Sequence, residues 1–593
     1  MAVRKHVLVF AYLAAVVPAL LMAVAQPVWS VIDEAQHFDF IVQLGHGVYP
    51  TGDETLISAD TLQVMRSTGV FRAFYLPGTY PLPDLTDISP PPPSMSARAN
   101  AAWMLRHMWQ LSHESVQTPG YYLSMVPLWW ATDKLGGPWA AIYTLRVANA
   151  LILAALAPMA IVVARALAPA RPEVAVVAAV FAILLPGLDL NGTRVSNDAL
   201  AAAIGGVIVL LAVRWAGGWT WRRAALMGVI LGLGLMVKLT LGGLIPALVL
   251  SAMWPAATSR LTNLVRVALS GAIAVLCLSP WFFLNLQKYG GVMPGVHSGR
   301  LSDALPGPLT PAFIPLDVAV FHLTYWTGEP WGALPLAGVM VVLGGLIALM
   351  AIAGVVSVLR SRALPVPHGP LAIAVVALAG LIAVSLLLPA TVGFEFEGPG
   401  RYAYPALPAA ATLCAIGVVV VLNSAFARRA LVGVYAVLSA AMLVGGAAGL
   451  PAPQDAGART PPALAKTVDV SASGQLEGVT ITVDRVALDK DAKATWFEVS
   501  VTNLGADEAE WTVPPAVSDG EVGATGQYLK STQLPGDIDP GQTLKGWLYV
   551  PLDPSQLHAG RTLQLTFRDV ATDGYRTVGD IIITIPVDGQ LSV

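Results

Sequence analysis

The feature that most constrains this chain is a series of long apolar runs that fill most of its first 450 residues. They lie at 7–25, 141–164, 173–189, 198–213, 224–253, 263–284, 333–358, 369–390, 406–424 and 430–449, with a shorter run at 119–132. A helix needs about 20 apolar residues to cross a bilayer, and only 12% of the residues are charged, about half the share of a soluble domain. The sequence therefore predicts an α-helical membrane protein with many spans.

Charge and cysteine content exclude several other classes. A net charge of −3 is not that of a nucleic-acid-binding protein, which needs a clustered basic excess. The two cysteines, Cys277 and Cys414, both lie in apolar runs, so we expect neither a disulfide framework nor a Cys-based metal site. No small-residue cleavage site follows the first apolar run, and we interpret that run as a retained signal anchor.

Basic residues orient the predicted spans, because cytoplasmic loops carry an excess of Lys and Arg. Arg4 and Lys5 precede the first run and place the N-terminus in the cytoplasm. Basic pairs at 360/362 and 428/429 mark cytoplasmic turns. The polar loops 26–118, 285–332 and 391–405, and everything after residue 450, then lie on the outer side.

The middle of the chain, 119–253, admits two topologies of about eleven crossings each. If every apolar run is one span, Asp198 faces the cytoplasm and the arginines at 214, 222 and 223 face outward. In the alternative, 119–132 lies along the membrane surface and 224–253 breaks at Lys238 into two short helices. Those arginines are then cytoplasmic, and Asp198 and Lys238 lie outside. The second topology satisfies the charge rule better, and we favour it.

The last part of the chain has a different character. Residues 467–593 are polar and alternate with period two, as in Phe497–Val501, Leu544–Val550 and Leu563–Phe567. About seven such segments, separated by Gly, Asp and Pro turns, predict an extracytoplasmic β-sandwich of roughly 125 residues. A Pro-rich linker, 451–466, joins it to the membrane domain, 1–450.

An acidic cluster follows the first apolar run directly, where the helix delivers the backbone to the outer membrane surface. It contains Asp33 and Glu34, with His37 one helical turn after Asp33 on the same face. Carboxylates at a membrane boundary cost free energy unless they are solvated, paired or coordinating a ligand. One interpretation is a catalytic site with His37 as a ligand-binding residue. The other is a solvated helix cap beside an interfacial histidine.

Four further polar patches lie at predicted outer boundaries. They contain Gln117 and Tyr121, Asn197 and Asp198, Lys238, and Arg401 and Tyr402. A carboxylate can deprotonate an acceptor hydroxyl, and Lys and Arg can neutralise the charge that develops on a departing phosphate. The combination favours transfer from a lipid phosphate donor over an ion pore.

Each charged group in these patches also has a structural explanation. Asp198 lies four residues after Arg194, so the two can form an intrahelical ion pair. Arg401 follows glutamates at 395 and 397 and can pair with them. An ammonium at Lys238, between apolar residues, must either snorkel to the interface or meet an anion. These explanations stay open beside the functional one.

Six fragments follow one another along residues 5–425. They are Asp33-Glu34 with His37, Gln117-Thr-Pro119-Gly-Tyr121-Tyr122, Arg194 with Asn197-Asp198-Ala-Leu, Lys238-Leu-Thr, Pro280-Trp281 with Tyr289-Gly290, and Gly400-Arg401-Tyr402. In this order they resemble the integral-membrane GT-C glycosyltransferases, in particular the bacterial relatives of protein O-mannosyltransferases and the aminoarabinose transferases. The mannosyltransferases usually show His-Pro-Pro-Leu where this chain has Gln117-Thr-Pro119-Gly, a departure that leaves the sugar and the acceptor open.

The resemblance implies a polyprenyl-phosphate-linked sugar donor and inversion at the anomeric carbon. The acceptor would be an envelope glycan, glycolipid or protein on the outer face. The resemblance implies that the first-loop carboxylate is the general base, which maps onto Asp33, with Glu34 as the second candidate. The implied substrate-binding residues are His37, Gln117, Tyr121, Asn197, Asp198, Lys238, Arg401 and Tyr402. Asp33 should then face a membrane-level cavity that it shares with Lys238 and Arg401.

The resemblance leaves the cofactor open, because some of these enzymes need a divalent cation and others do not. Asp33 and Asp198 with open oxygen positions would suit Mg²⁺, Mn²⁺ or Ca²⁺, and two carboxylates do not decide the question. For the function, two other classes stay open: a transporter or flippase of a lipid-linked sugar, and a non-catalytic assembly protein of the cell envelope. Transporters often show internal repeats with paired broken helices, and the sequence shows no comparable second half. We therefore predict a glycosyltransferase of a bacterial cytoplasmic membrane.

Overall fold

The computed structural model describes residues 4–26, 28–29, 33–51, 55–68, 110–255, 259–292, 314–328, 336–361, 365–392, 399–449 and 461–591, the last with short internal gaps. The chain divides into two compact units. The first consists of Met1–Met65 with Trp109–Leu450, and the second includes Pro451–Val593. Most of the predicted linker, 451–466, lies outside the described residues, so its boundaries stay a prediction.

Runs rich in Ala, Leu and Val make the first unit helical. Its described helices are α1 (Lys5–Ala25), α2 (Glu34–Gly45), α3 (Ala59–Thr68), α4 (Gly120–Ala154), α5 (Leu156–Leu167), α6 (Pro172–Ile183), α7 (Pro186–Gly192), α8 (Asp198–Arg214), α9 (Trp221–Val237), α10 (Ile245–Met253), α11 (Arg260–Tyr289), α12 (Ile314–Thr327), α13 (Ala337–Ser361), α14 (His368–Val392), α15 (Leu407–Val421) and α16 (Ala425–Gly449). Short 3₁₀ helices occupy His113–Val116, Leu239–Leu244 and Gly400–Ala406.

Seven helical segments among the described residues are long and apolar enough to cross a membrane. The number is eight if α6 and α7, bent by 45° at their junction, form one broken span. Two more apolar helices, α8 and α9, have 17 residues each, close to the length that a crossing requires. The chain is a multi-pass membrane protein, as predicted. The expected number of about eleven crossings stays a prediction.

The favoured topology separates 119–132 from the following apolar run and breaks 224–253 at Lys238. The structure has a backbone irregularity near each of these positions. Helix α4 is kinked at Gly137, whose φ of 72° is non-helical, so the segment 119–132 is separated in direction from the rest of α4. Helix α9 ends at Val237, and Lys238 has extended backbone angles (φ −158°, ψ 122°). The Gly242-Gly243 pair has low helix propensity, and Pro246 stands in the first turn of α10, where proline is favoured.

The second unit contains two antiparallel sheets. Its described strands are β1 (Lys466–Leu476), β2 (Val479–Asp489), β3 (Ala494–Asn503), β4 (Ala509–Ser518), β5 (Gly523–Thr525), β6 (Asp537–Ile538), β7 (Thr543–Val550), β8 (Thr562–Thr572) and β9 (Arg576–Pro586). One sheet has the order β1-β2-β3-β7 and the other β5-β4-β8-β9, with β6 paired to β4. Alternate side chains of both sheets, such as Phe497 and Phe567, form one buried core.

This architecture confirms the predicted β-sandwich. The described part has nine strands instead of about seven, because β5 and β6 have only three and two residues. Segments that short carry no period-two signal.

Candidate functional site

Asp33 connects the end of α1 to the start of α2 in a left-handed backbone conformation (φ 52°, ψ 7°). Its carbonyl accepts a hydrogen bond from the His37 amide at 2.8 Å and so begins α2. Its side chain makes no capping hydrogen bond with the helix and is half-buried. The helix-cap explanation of the acidic cluster therefore does not account for the Asp33 carboxylate.

Glu34, the neighbouring carboxylate, is fully buried against Arg146 of α4. Arg146 Nε and Nη2 donate to Glu34 Oε1 and Oε2 at 2.8 and 2.6 Å, a bidentate pair. Glu34 Oε1 also accepts from the Val195 amide at 2.8 Å, and Arg146 Nη1 donates to the Gln26 carbonyl at 2.7 Å. The ion pair of Glu34 with Arg146 thus joins the end of α1, helices α2 and α4 and the segment before α8, and we assign Glu34 a positioning role.

His37 lies one turn into α2 and is buried. Its Nδ1 is 2.7 Å from the Tyr122 hydroxyl and 3.4 Å from Glu114 Oε2, and the His37 and Tyr122 rings stack. Burial lowers the pKa of His37 to about 3, and Lys238 and Arg401 act in the same direction against Asp33 and Asp198. The imidazole is therefore neutral near pH 7.

Asp198, Lys238 and Arg401 form a buried ionic cluster at the N-terminal end of α8. Lys238 Nζ donates to Asp198 Oδ1 at 2.5 Å, and Arg401 Nε lies 3.9 Å from Asp198 Oδ2. Both cations also lie near the ring of Tyr402, at 4.8 and 5.7 Å from its centroid. One carboxylate faces two cations, so the three side chains carry a net positive charge.

This cluster decides between the structural explanations left open above. Lys238 meets an anion and is buried. The Arg194 guanidinium donates to the carbonyl and side-chain oxygens of Asn191, whereas Asp198 forms salt bridges with Lys238 and Arg401. The glutamates at 395 and 397, the other proposed partners of Arg401, lie outside the described residues.

Two glycines allow the backbone approaches that position these cations. A Cβ on Gly120 would lie 2.5 Å from the Met236 carbonyl oxygen, two residues before Lys238. A Cβ on Gly400 would lie 2.2 Å from the Tyr325 amide nitrogen, and the Gly400 amide donates to Thr324 Oγ1 at 2.7 Å. Larger residues at these two positions would displace the segments that carry Lys238 and Arg401.

The remaining predicted residues line the same region. Asn197 Nδ2 donates to Gln117 Oε1 at 2.9 Å, and among the described residues Asn197 Oδ1 has no hydrogen-bond partner although it is buried. The Tyr121 hydroxyl pairs with Asn149, whose Nδ2 donates to the Arg194 carbonyl at 2.6 Å. Gln117 is a candidate for direct contact with a substrate, whereas Tyr121 supports the segment that leads into α8.

Four charged groups influence the pKa of His37: Asp33, Asp198, Lys238 and Arg401. His37 therefore lies between Asp33 and the ionic cluster. Asp33 and Asp198 also act on the neighbouring Tyr122 hydroxyl. The structure therefore brings together residues that are up to 368 positions apart in the chain (33 to 401). The half-buried carboxylate of Asp33 and the cluster of Asp198, Lys238 and Arg401 therefore lie around the aromatic pair of His37 and Tyr122.

The residues around Asp198 do not fit a divalent cation. Both carboxylate oxygens of Asp198 face a cation, and these positive charges would repel a metal ion. Among the residues that the structure describes, no group of three or more His, Cys, Asp or Glu side chains could hold one. The predicted metal ligand Asp198 is thus engaged otherwise, and Asp33 alone would offer a single carboxylate.

Sequence reasoning missed several residues of this site. Arg146 and Asn149 lie in the apolar run 141–164, and Arg146 is the only charged residue there before Arg165. An ionisable residue inside a membrane segment is a signal for a buried partner, so Arg146 could have been found. Tyr122 ends one of the recognised fragments and Glu114 lies three residues before its start, but only the structure shows that both contact His37.

Comparisons with known proteins gave structural matches only. No protein-family model and no curated protein sequence matches the chain. The chain is similar to the oligosaccharyltransferase of the archaeon Archaeoglobus fulgidus in its apo form, with 16% identity and a TM-score of 0.39 over 76% of this chain and 55% of that one. It is also similar to that enzyme, AglB, in complex with an inhibitory peptide and a dolichol-phosphate, with 15% identity, the same coverages and a TM-score of 0.37.

A third similar structure is the same enzyme in complex with Zn and sulfate, with 12% identity and a TM-score of 0.36 over 73% of this chain and 53% of that one. This chain thus spans about half the length of the matched oligosaccharyltransferase.

Proposed function

We propose that this protein is a membrane glycosyltransferase. It would move a sugar from a polyprenyl-phosphate-linked donor to a glycan, glycolipid or protein acceptor at the outer face of a bacterial cytoplasmic membrane. The observation that carries the proposal is that Asp33, a half-buried carboxylate that does not cap its helix, and the buried cluster of Asp198, Lys238 and Arg401 all influence the pKa of the same side chain, His37.

The two parts supply the two charges that such a transfer needs. The acceptor hydroxyl gives its proton to the Asp33 carboxylate while its oxygen bonds to the anomeric carbon from the face opposite the phosphate. The bond between that carbon and the phosphate oxygen breaks, and polyprenyl phosphate leaves with the electron pair. Lys238 and Arg401 stabilise the charge on the departing phosphate, and inversion follows from attack on the opposite face.

The other site residues hold these groups in place. The ion pair of Glu34 with Arg146 fixes the start of α2 and hence Asp33. Asp198 keeps the two cations close together when no phosphate is bound, and Asn197 and Gln117 are placed to contact sugar hydroxyls. His37, neutral near pH 7, can accept or donate one hydrogen bond without adding a charge.

Replacement of Asp33 by Asn is the first test. Purified full-length protein in lipid vesicles is given polyprenyl-phosphate sugars that carry a radioactive label, and both donor consumption and donor binding are measured. General-base catalysis contributes about 10²- to 10⁴-fold, so D33N should lose turnover by that factor and keep donor binding.

The matched control is Asp60→Asn. Asp60 lies on α3 in the same unit, and its side chain is half-exposed. The same carboxylate-to-amide change at this position should leave turnover unchanged. Sugar transfer that survives D33N would show that Asp33 is not the base. A transporter would move the labelled lipid across the vesicle membrane without consuming it, and an assembly protein would be indifferent to the substitution.

A further inference from the structure

A second feature of the first unit lies far from the candidate site. Helices α6, α15 and α16 enclose a groove with a volume of about 480 Å³. Its walls are apolar: Val176, Val177 and Val180 of α6 lie on one side, and Val432 and Gly433 of α16 on the other. Val176 is 64% exposed, so this groove opens to the surface that faces lipid.

One end of the groove is charged. Glu173, Arg428 and Arg429 line it there. Glu173 already forms an ion pair with Arg171 at 3.2 Å, so these four side chains, three positive and one negative, leave the rim with a positive excess. Arg428 uses Nη1 to donate to the Leu422 carbonyl, and a guanidinium has five N–H donors in all.

The backbone adds to this positive charge. The first turns of α6 and α16, which contain Glu173 and Arg428, both line the groove. Farther along the two helices Phe181 packs against Tyr435, so both helices run in the same direction away from the rim. Helix N-termini carry partial positive charge and unsatisfied amides, which attract phosphate groups. The rim therefore combines two arginines with two helix N-termini above an apolar slot.

The groove and the candidate site belong to opposite membrane surfaces. Helix α6 has 12 residues, about 18 Å, and leads from the rim toward α7 and the segment that carries Asp198. Helix α8 then returns from Asp198 to Arg214. The rim thus lies on the surface of Arg214, which the distribution of basic residues predicts to be cytoplasmic.

We propose that this groove binds an anionic glycerophospholipid of that leaflet, with its phosphate on Arg428 and Arg429 and an acyl chain between α6 and α16. Charge complementarity favours this occupant, because a zwitterionic lipid brings a cation to a rim that is already positive. Basic pockets between transmembrane helices on the cytoplasmic side are suited to anionic head groups. The proposal does not depend on the enzymatic function proposed above.

The test compares lipid retention by full-length protein. Purified protein is exchanged into micelles that contain equal amounts of phosphatidylglycerol and phosphatidylcholine, and the bound lipids are counted by native mass spectrometry. The wild type should retain phosphatidylglycerol selectively. The double variant R428Q/R429Q should lose selectivity by about 5-fold for each arginine, the typical contribution of one basic residue near an anionic membrane.

Two further variants make the result specific. A Cβ on Gly433 would have no heavy atom within 4 Å, so Gly433→Phe fills the groove from one wall without a backbone clash. It should reduce the retention of phosphatidylglycerol while both arginines remain. The control R222Q/R260Q removes the same charge from two exposed residues at the starts of α9 and α11 and should retain lipid like the wild type.

Three outcomes would overturn the proposal. Equal retention by R428Q/R429Q and the control would show that the rim does not bind the head group. Unchanged retention by G433F would show that the apolar slot does not hold the chain. Displacement of phosphatidylglycerol from the wild type by a smaller amount of a polyprenyl phosphate would assign the groove to that lipid instead.

Discussion

Two buried ionic clusters of the first unit differ in how completely their charges are matched. In one, Glu34 and Arg146 pair one to one, both side chains are fully buried, and the remaining donors and acceptors bond to backbone groups. In the other, one carboxylate, Asp198, faces two cations that retain 8% and 12% exposure. In the first cluster the charges match one to one, whereas in the second Lys238 and Arg401 share the carboxylate of Asp198.

The difference indicates what each cluster does. A matched and inaccessible pair can only hold elements together, and Glu34 with Arg146 holds α1, α2 and α4. A cluster in which two cations share one carboxylate and keep some exposure can attract an anion, because both cations act on it. We therefore expect the cluster of Asp198, Lys238 and Arg401 to bind a phosphate, and variants of the two clusters test this contrast.

The largest effect is expected for Arg146→Ala. Removal of one partner of a buried ion pair leaves an uncompensated charge at Glu34, which costs about 3–5 kcal/mol, and it also removes the hydrogen bond to the Gln26 carbonyl. We expect a large fall in the thermal unfolding temperature of the full-length protein in detergent, followed by intrinsic tryptophan fluorescence.

The control is the double variant E34Q/R146M, which removes both charges and keeps an acceptor oxygen for the Val195 amide. It should recover much of the stability that R146A loses, because well-packed apolar replacement of a buried pair is often nearly neutral. If R146A unfolds at the temperature of the wild type, the pair does not position α2, and the contrast between the two clusters fails.

Lys238→Met should have a smaller effect on stability and a clear effect on activity. Arg401 still faces Asp198 after the change, so the buried carboxylate keeps a cation. We expect kcat/KM for the donor to fall about 10- to 100-fold, which corresponds to about 1.4–2.7 kcal/mol of lost stabilisation. Donor titration with the purified protein measures this change.

The matched control for that variant is Lys134→Met. Lys134 is exposed on α4, where its ammonium lies 3.7 Å from the centroid of the Trp130 ring, and its loss should leave kcat/KM unchanged. If K238M instead unfolds as readily as R146A while the turnover of the folded fraction is unaltered, Lys238 is structural and the two clusters serve the same purpose.

The sequence predicts the architecture well where a strong periodic signal exists. Long apolar runs identify the helices, and alternation as in Phe497–Val501 identifies the sandwich. The break at Lys238, where α9 ends, belongs to the topology that the distribution of basic residues favours. The short strands β5 and β6 give no comparable signal, since three and two residues contain less than two periods.

The site is harder to predict than the fold. Sequence patterns select the charged residues, but they do not say which of two adjacent carboxylates is buried. Asp33 and Glu34 differ by one position, and only the packing of α4 shows that Arg146 takes Glu34. The partner of Asp198 was equally ambiguous: helical spacing favoured Arg194, whereas the structure pairs it with Lys238, 40 residues away.

The smallest effect is expected on the surface of the β domain, which supplies a baseline for both buried clusters. Arg485 donates to Glu498 at 2.6 and 2.8 Å, and Lys545 donates to Asp484 at 2.7 Å. The two cations are 44% and 52% exposed and so stay in contact with water, although the Glu498 side chain itself is only 8% exposed. Exposed pairs contribute about 0.2–1 kcal/mol. Glu498→Gln should therefore change hydrogen exchange at Phe497–Val501 only slightly, and less in high salt.

The pH dependence of that small effect follows from the pKa of the two carboxyls. Hydrogen bonds from Arg485 and Lys545 hold the pKa of Glu498 and of Asp484 below their ordinary values of 4.5 and 3.8. The unfolded chain then binds protons at a higher pH than the folded one, so the stabilisation is present near pH 7 and is lost as the pH falls through the folded pKa values.

The difference in hydrogen exchange between E498Q and the wild type should therefore shrink below about pH 4. The control, Asp491→Asn in the exposed turn after β2, should exchange like the wild type throughout. A difference that persists at low pH and in high salt would mean that Glu498 stabilises the sheet by packing, and exposed pairs would then be no baseline for the buried ones.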